Sequence, residues 1–296
     1  MTGHVELKTE PLAPQTFVGA KGLRIVADVG GPDDAPLVSL AHGGGQTRHS
    51  WKDTAQLLVE AGYRTVSMDL RGHGDSGWAE DEDYDLPVTA ADMESVVRAT
   101  ATGRGVNLVG ASWGGLSSLV AFSHLRDLDV RSIVLVDVVP RVGTRGSGRI
   151  QGFMRAHLDG FASLDEAAEA VAAYRSGHRK PNDAAGLLKN LRQGEDGRFH
   201  WHWDPARLKR NPPVDVALVE GFAAKVTCPV LLVRGGHSDI VTDEGIAKLR
   251  ALIPQLEVTT IEDADHMVVG DDNNIFATGL IEYLGRVSPL NGGTDG

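Results

Sequence analysis

The chain has 296 residues, 42% of them hydrophobic and 23% charged, and a formal charge of -11. That length suits one large α/β domain or two small ones, with a core large enough to fold without disulfides or metal, and its acidic balance argues against nucleic acid, whose phosphates need clustered Lys and Arg. The single Cys228 excludes an intrachain disulfide framework and a cysteine-built zinc site, and no apolar run approaches the about 18 residues of a membrane span.

Residues 1–16 read as an irregular lead-in without the charged-then-apolar order of a secretion signal, so a cytoplasmic protein is expected. Short apolar or β-branched runs then follow at Leu23–Val29, Leu37–Ala41, Arg64–Asp69, Val106–Val109, Ser132–Val138, Val230–Val233 and Glu257–Ile261. Each has strand length, and most end in Gly, Asp or His. Helix-period stretches lie between several of them: Trp51–Ala61, Ala90–Ala101, Trp113–Leu125 and Ile240–Leu252, with a last one at Asn273–Val287. Strand alternating with helix predicts an α/β fold with a mostly parallel, doubly wound sheet.

After Pro140 the alternation stops. Ala-rich helical stretches at Ser163–Ser176 and Asp183–Arg192 precede the segment RFHWHWDPAR at Arg198–Arg207. Residues 141–218 are therefore expected to form a helical lid inserted into a core made of 17–140 and 219–287. Such an insertion would lie over the carboxyl edge of the sheet, where ligands bind in open α/β folds. Residues 288–296, SPLNGGTDG, have the composition of an irregular end.

The chemistry begins at VNLVGASWGG, Val106–Gly115, where a strand runs through G-x-S-x-G into a helix. A nucleophile in so sharp a turn is crowded by its neighbours; glycines two before and two after relieve this and leave the Ser112 hydroxyl exposed. The bland alternative is a glycine-rich turn with an N-capping serine. A second glycine-rich loop, LAHGGGQ at Leu40–Gln46, also follows a strand. Its Gly44 amide, or that of Gly43, pairs in this reading with the Trp113 amide to hold an oxyanion. His42 is read as a loop anchor rather than a base.

With these segments, together with DLRGHGDSG at Asp69–Gly77, RGGHSDIV and DADHMVVGDDNN, the chain resembles the α/β-hydrolase superfamily from about Leu23 to Leu284. It most resembles the serine-nucleophile group labelled non-haem peroxidase, esterase or epoxide-hydrolase-like. The serine in the elbow departs from the aspartate of true epoxide hydrolases and haloalkane dehalogenases. The resemblance implies a histidine base after the last strand, which is His266. The order Ser112, Asp239, His266 is the hydrolase chain order and makes Asp239 the preferred acid. Asp137, at an earlier strand end, is the runner-up. Asp263 and Asp265 are read as turn residues, and His73 as a holder of its own loop.

A phosphate loop at RGHGDSG is rejected, since it lacks the Gly-Lys-Ser/Thr ending. No cofactor and no catalytic metal are implied. Trp201 and Trp203 either pin the insertion to the core or wall an apolar substrate pocket. The expected activity is hydrolysis of a small or medium apolar carboxylic ester through an acyl-enzyme. Rivals on the same triad are C–C bond hydrolysis, lactone opening and perhydrolysis. A rival of another class is a non-catalytic small-molecule receptor.

Overall fold

The protein is described from a computed structural model, which covers residues 11–174, 184–209, 214–262, 264 and 273–290. In chain order the elements are β1 (Ala13–Val18), β2 (Arg24–Gly30), β3 (Leu37–Ala41), α1 (Lys52–Glu60), β4 (Arg64–Met68), α2 (Leu86–Thr100), β5 (Val106–Ala111), α3 (Trp113–Phe122) and β6 (Val130–Val136). After these come α4 (Thr144–Ala156), α5 (Leu164–Tyr174), β7 (Leu191–Gln193), β8 (Phe199–Trp201), α6 (Ala206–Lys209), α7 (Val216–Ala223), β9 (Val230–Gly235), α8 (Asp243–Leu252), β10 (Leu256–Ile261) and α9 (Asn273–Val287).

Eight strands form one sheet in the order β1-β2-β4-β3-β5-β6-β9-β10. Pairing is antiparallel at β1–β2 and β2–β4 and parallel from β4 to β10. The central strands are buried on both faces, which explains their near-continuous apolar runs. In β3, Leu37 and Ala41 face one core while Val38 and Leu40 face the other. Val106 and Leu108 of β5, and Val230 and Leu232 of β9, join the first core; Val109, Leu231 and Val233 join the second. Residues from α2, α3, α7 and α8 close the first core, and residues from α1 and α9 the second. No helix among the described residues is long and apolar enough to cross a membrane.

Three expectations need correction. Residues 13–16 are not irregular: they open β1, which pairs with β2 from Ala13↔Val29 to Val18↔Arg24. This edge strand is largely exposed and contains Pro14, so it shows no apolar alternation. The start of the expected irregular end is docked. Ser288 is fully buried, with Asn107 Nδ2 donating to its hydroxyl at 3.0 Å, and Leu290 packs on the second core. The insertion is not purely helical. A 3-10 turn at Ala184–Lys189 replaces most of the second expected helix, and β7 and β8 form an antiparallel hairpin. At its far end, α7 starts before residue 218 and sends Val219 and Ala223 into the first core.

Candidate active site

Ser112 sits between β5 and α3 with φ 46° and ψ -114°. A non-glycine residue held at positive φ is strained and persists only where its surroundings enforce it. Here they do. A Cβ on Gly110 would lie 2.4 Å from the Gly114 backbone, and one on Gly114 would lie 2.4 Å from the Ala41 carbonyl oxygen. The two glycines thus let α3 pack directly on β5 and β3. Ser112 is half-buried, and its amide donates to the Val136 carbonyl at 3.1 Å. The Trp113 amide opens α3, where N–H groups lack intrahelical acceptors and the helix dipole favours an anion.

The second glycine loop lies against this elbow. A Cβ on Gly43 would stand 3.3 Å from Ser112 Cβ. The Gly43 amide donates to Gln46 Oε1 at 2.9 Å, and the Gly45 amide donates to His73 Nε2 at 3.2 Å. Gly44 is exposed, with nothing within 4 Å of its Cβ position.

His42 and His73 hold the loops. His42 Nδ1 donates to the Gly43 carbonyl at 2.7 Å, and its Nε2 accepts from the Leu70 amide at 3.0 Å. His73 Nδ1 donates to the Arg71 carbonyl at 3.1 Å while Nε2 takes the Gly45 proton. Both rings use both nitrogens as neutral imidazoles. Burial is the main reason that His42 is pushed down to about 4 and His73 well below the usual histidine range. Neither is placed to serve as a base.

An ion-pair network under the loops carries no signal that sequence reasoning used. Arg48 bridges Asp28 at 3.0 Å, Asp75 at 2.8 Å and the buried Asp69. Beside it, Arg71 and Asp92 form a buried pair at 2.6 Å. Their spacing along the chain gives no local pattern, so only the fold brings them together.

The two expected acids occupy different settings. Asp137 directly follows β6, is fully buried and has φ 46°. It is the next residue after Val136, the one that accepts the Ser112 amide. Asp137 Oδ1 accepts from the Gly235 amide at 2.9 Å and Oδ2 from Ser238 Oγ at 2.5 Å. Asp239 lies in the loop after β9, partly exposed, and Arg149 of the insertion donates to its Oδ1 at 3.0 Å. His266, Asp263 and Asp265 lie outside the described residues.

A cavity of about 740 Å³ opens above Ser112. One wall is core: Gly43, Gly44, Gly45, Ser112, Trp113 and Leu116. The other is insertion, including Ile150, Phe153, Met154, Trp201, Trp203 and Arg207. Trp201 packs on Phe161 and Phe153, with ring centroids 5.3 and 5.8 Å away. Trp203 is buried and bridges to His73, while the His202 carbonyl accepts from the Gly74 amide at 2.8 Å. The segment RFHWHW joins the insertion to the RGHGDSG loop through Trp203 and His202, and Trp201 and Trp203 line the cavity.

The alpha/beta hydrolase fold family matches residues 36–272. The chain is 31% identical over 247 residues to esterase Rv0045c of Mycobacterium tuberculosis, covering 80% of this chain and 78% of that protein. It is 30% identical over 250 residues to 2-(acetamidomethylene)succinate hydrolase of Mesorhizobium japonicum, covering 83% and 86%. A solved structure of the mycobacterial esterase superposes with a TM-score of 0.71 at 30% identity, over 94% of this chain and 92% of that one. With the tight strand-to-helix turn at Ser112 and this match over most of its length, the chain belongs to the alpha/beta hydrolase fold family.

Proposed function

We propose that the protein is a serine hydrolase that cleaves a carboxylic ester through an acyl-enzyme. The strained Ser112 at the amino end of α3 is the observation that carries this reading, because it sets a hydroxyl beside backbone donors at the floor of a cavity. In this mechanism Ser112 attacks the ester carbonyl, and His266 accepts the serine proton and returns it to the leaving alcohol. The Trp113 and Gly44 amides stabilise the oxyanion; the Gly43 and Gly45 amides already have acceptors. Water then releases the acid by the same route. Trp201 and Trp203 wall the substrate, and the insertion acts as its lid.

The acid that orients His266 is Asp239 by chain order or Asp137 by setting. Burial, positive φ and a place next to the residue that holds the Ser112 amide support Asp137. The contact of Asp239 with Arg149 gives it a separate task at the lid's base.

The esterase named among the relatives supports ester cleavage; the succinate hydrolase supports hydrolysis on the same scaffold more broadly. The test is a panel of esters, lactones, amides and diketones, run on wild type beside Ser112→Ala. Ester turnover should dominate and fall by several orders of magnitude in the variant. Rapid diketone cleavage without ester turnover would favour the C–C hydrolase, and saturable binding without turnover the receptor.

A further inference from the structure

The arginines buried beneath the glycine loops have carboxylate or carbonyl partners, and so does Arg198 of the insertion. Arg48 meets Asp28, Asp69 and Asp75; Arg71 meets Asp92 and the Asp83 carbonyl; Arg198 meets the Asp159 and Gly160 carbonyls. Arg207 is different. It lines the cavity above Ser112, yet its Nη1 is buried without a hydrogen-bond partner among the described residues. Its guanidinium lies over two aromatic rings, 5.1 Å from the Tyr84 centroid and 5.5 Å from that of Trp113, the residue after the nucleophile. The nearby Asp204 does not neutralise it by contact: its Oδ2 accepts from the Tyr84 hydroxyl and its Oδ1 from the Ala206 amide at 2.9 Å.

A guanidinium stacked on aromatic faces is held flat, with its N–H edge left to bond. Taking such a charge out of water is costly unless an anion meets it. Burial indeed pulls Arg207 down to about 10, and its charge is felt by both His42 and His73 on the two glycine loops. The cavity therefore holds a guanidinium with a buried, unbonded Nη1, on an aromatic wall, close to the proposed reaction centre.

We propose that Arg207 binds a free carboxylate on the substrate, so that the preferred esters are half-esters or esters of hydroxy acids. This rests on the ester-hydrolase reading of the same cavity. A planar carboxylate matches the guanidinium fork with two parallel hydrogen bonds. The cavity is also lined by Asp81, Glu82, Asp83 and Asp85, on the segment that carries Tyr84, and Asp81 and Asp83 bind Lys21. That acidic rim disfavours highly charged ligands such as nucleoside or coenzyme phosphates and fits a singly charged substrate. Arg207 is thus a specificity-determining residue that does not touch the reacting atoms.

The test compares charged and neutral partners of one shape: monoethyl adipate with ethyl hexanoate for the acyl side, and 4-acetoxybutanoate with butyl acetate for the alcohol side. Wild type should favour the carboxylate in at least one pair. In Arg207→Gln that ratio of kcat/KM should fall roughly 10- to 100-fold, mainly through KM, as expected for a hydrogen bond to a charged group. Arg207→Lys keeps the charge but loses the fork and should retain part of the preference; it also serves if the Gln variant does not fold. No carboxylate preference in either pair, or a preference that survives Arg207→Gln, overturns the proposal while leaving ester hydrolysis standing. Calorimetric titration of Ser112→Ala with monoethyl adipate and with 4-acetoxybutanoate reads the contact without turnover. At least one should bind, and adding Arg207→Gln should abolish that binding. Such binding with no turnover of any ester by wild type would overturn the esterase reading alone. No binding of either compound would overturn the carboxylate site.

Discussion

The two walls of the cavity are built by different physics. The core wall is made of backbone held by glycine packing and by histidines and carboxylates that have hydrogen-bond partners, as at His42, His73 and Asp69. The insertion wall is made of side chains: aromatic rings packed edge to face, with Trp201 Nε1 and Arg207 Nη1 buried and unbonded among the described residues. A wall of closely packed backbone fixes positions and suits chemistry that tolerates little displacement. A wall of packed rings and one guanidinium with an unbonded Nη1 is suited to select what enters. Changes to the first should alter rate or stability for every substrate; changes to the second should alter ratios between substrates.

The largest break in that comparison is expected at Asp137. On the proposed reading of Asp137 as the acid that orients His266, Asp137→Asn should lower kcat about a hundredfold to ten-thousandfold, because asparagine would orient the imidazole wrongly and would not stabilise its charged form. Asp239→Asn should cost much less and should loosen the Arg149 contact instead. Steady-state kinetics of the two variants rank them, and the reverse ranking would return the acid to the loop after β9.

The histidines of the core wall give it a pH signature. An unfolded histidine takes up its proton near 6.5, whereas folded His42 holds out to about 4. Its contribution is therefore fully present above pH 6.5 and is lost as pH falls through that window, on the order of 3 kcal/mol in all. His73 acts in the same direction. Urea unfolding of wild type and His42→Gln from pH 7.5 to 4.5 should show the wild-type advantage shrinking with acid. An advantage independent of pH would mean that His42 is not held neutral.

A smaller stability effect is expected at Gly114. Its alanine variant would press a methyl group onto the Ala41 and His42 carbonyls and should lose about 1–3 kcal/mol, the usual cost of overpacking. Activity should fall with it for every ester, measured beside the thermal midpoint. The smallest effect belongs to the insertion wall. Trp201→Ala should change the ratio of long- to short-chain ester turnover several-fold, the discrimination an apolar pocket can supply. An unchanged ratio would leave the ring a packing role against Phe153 and Phe161 alone.

The same division explains what could be read from the sequence. The central strands were legible because burial on both faces writes continuous apolar runs, and the elbow was legible because backbone crowding at Ser112 admits only glycine at Gly110 and Gly114. β1 escaped because an exposed edge strand writes no pattern, and β7 and β8 because each is only three residues long. The acid stayed ambiguous because Asp137 and Asp239 both follow strands that are neighbours in the sheet. Arg207 gave no local sign at all. Its meaning comes from Tyr84 and Trp113, which are remote in sequence and adjacent only in the fold.

The central claim, that Ser112 is the nucleophile of an acyl-transfer reaction, is tested most directly by covalent capture. A serine-directed fluorophosphonate is incubated with the intact protein, and the labelled peptide is identified by mass spectrometry as ester turnover is followed. The account predicts one label per chain on Ser112, with activity lost in proportion. Labelling at another residue, or full ester turnover after Ser112 is modified, would contradict it.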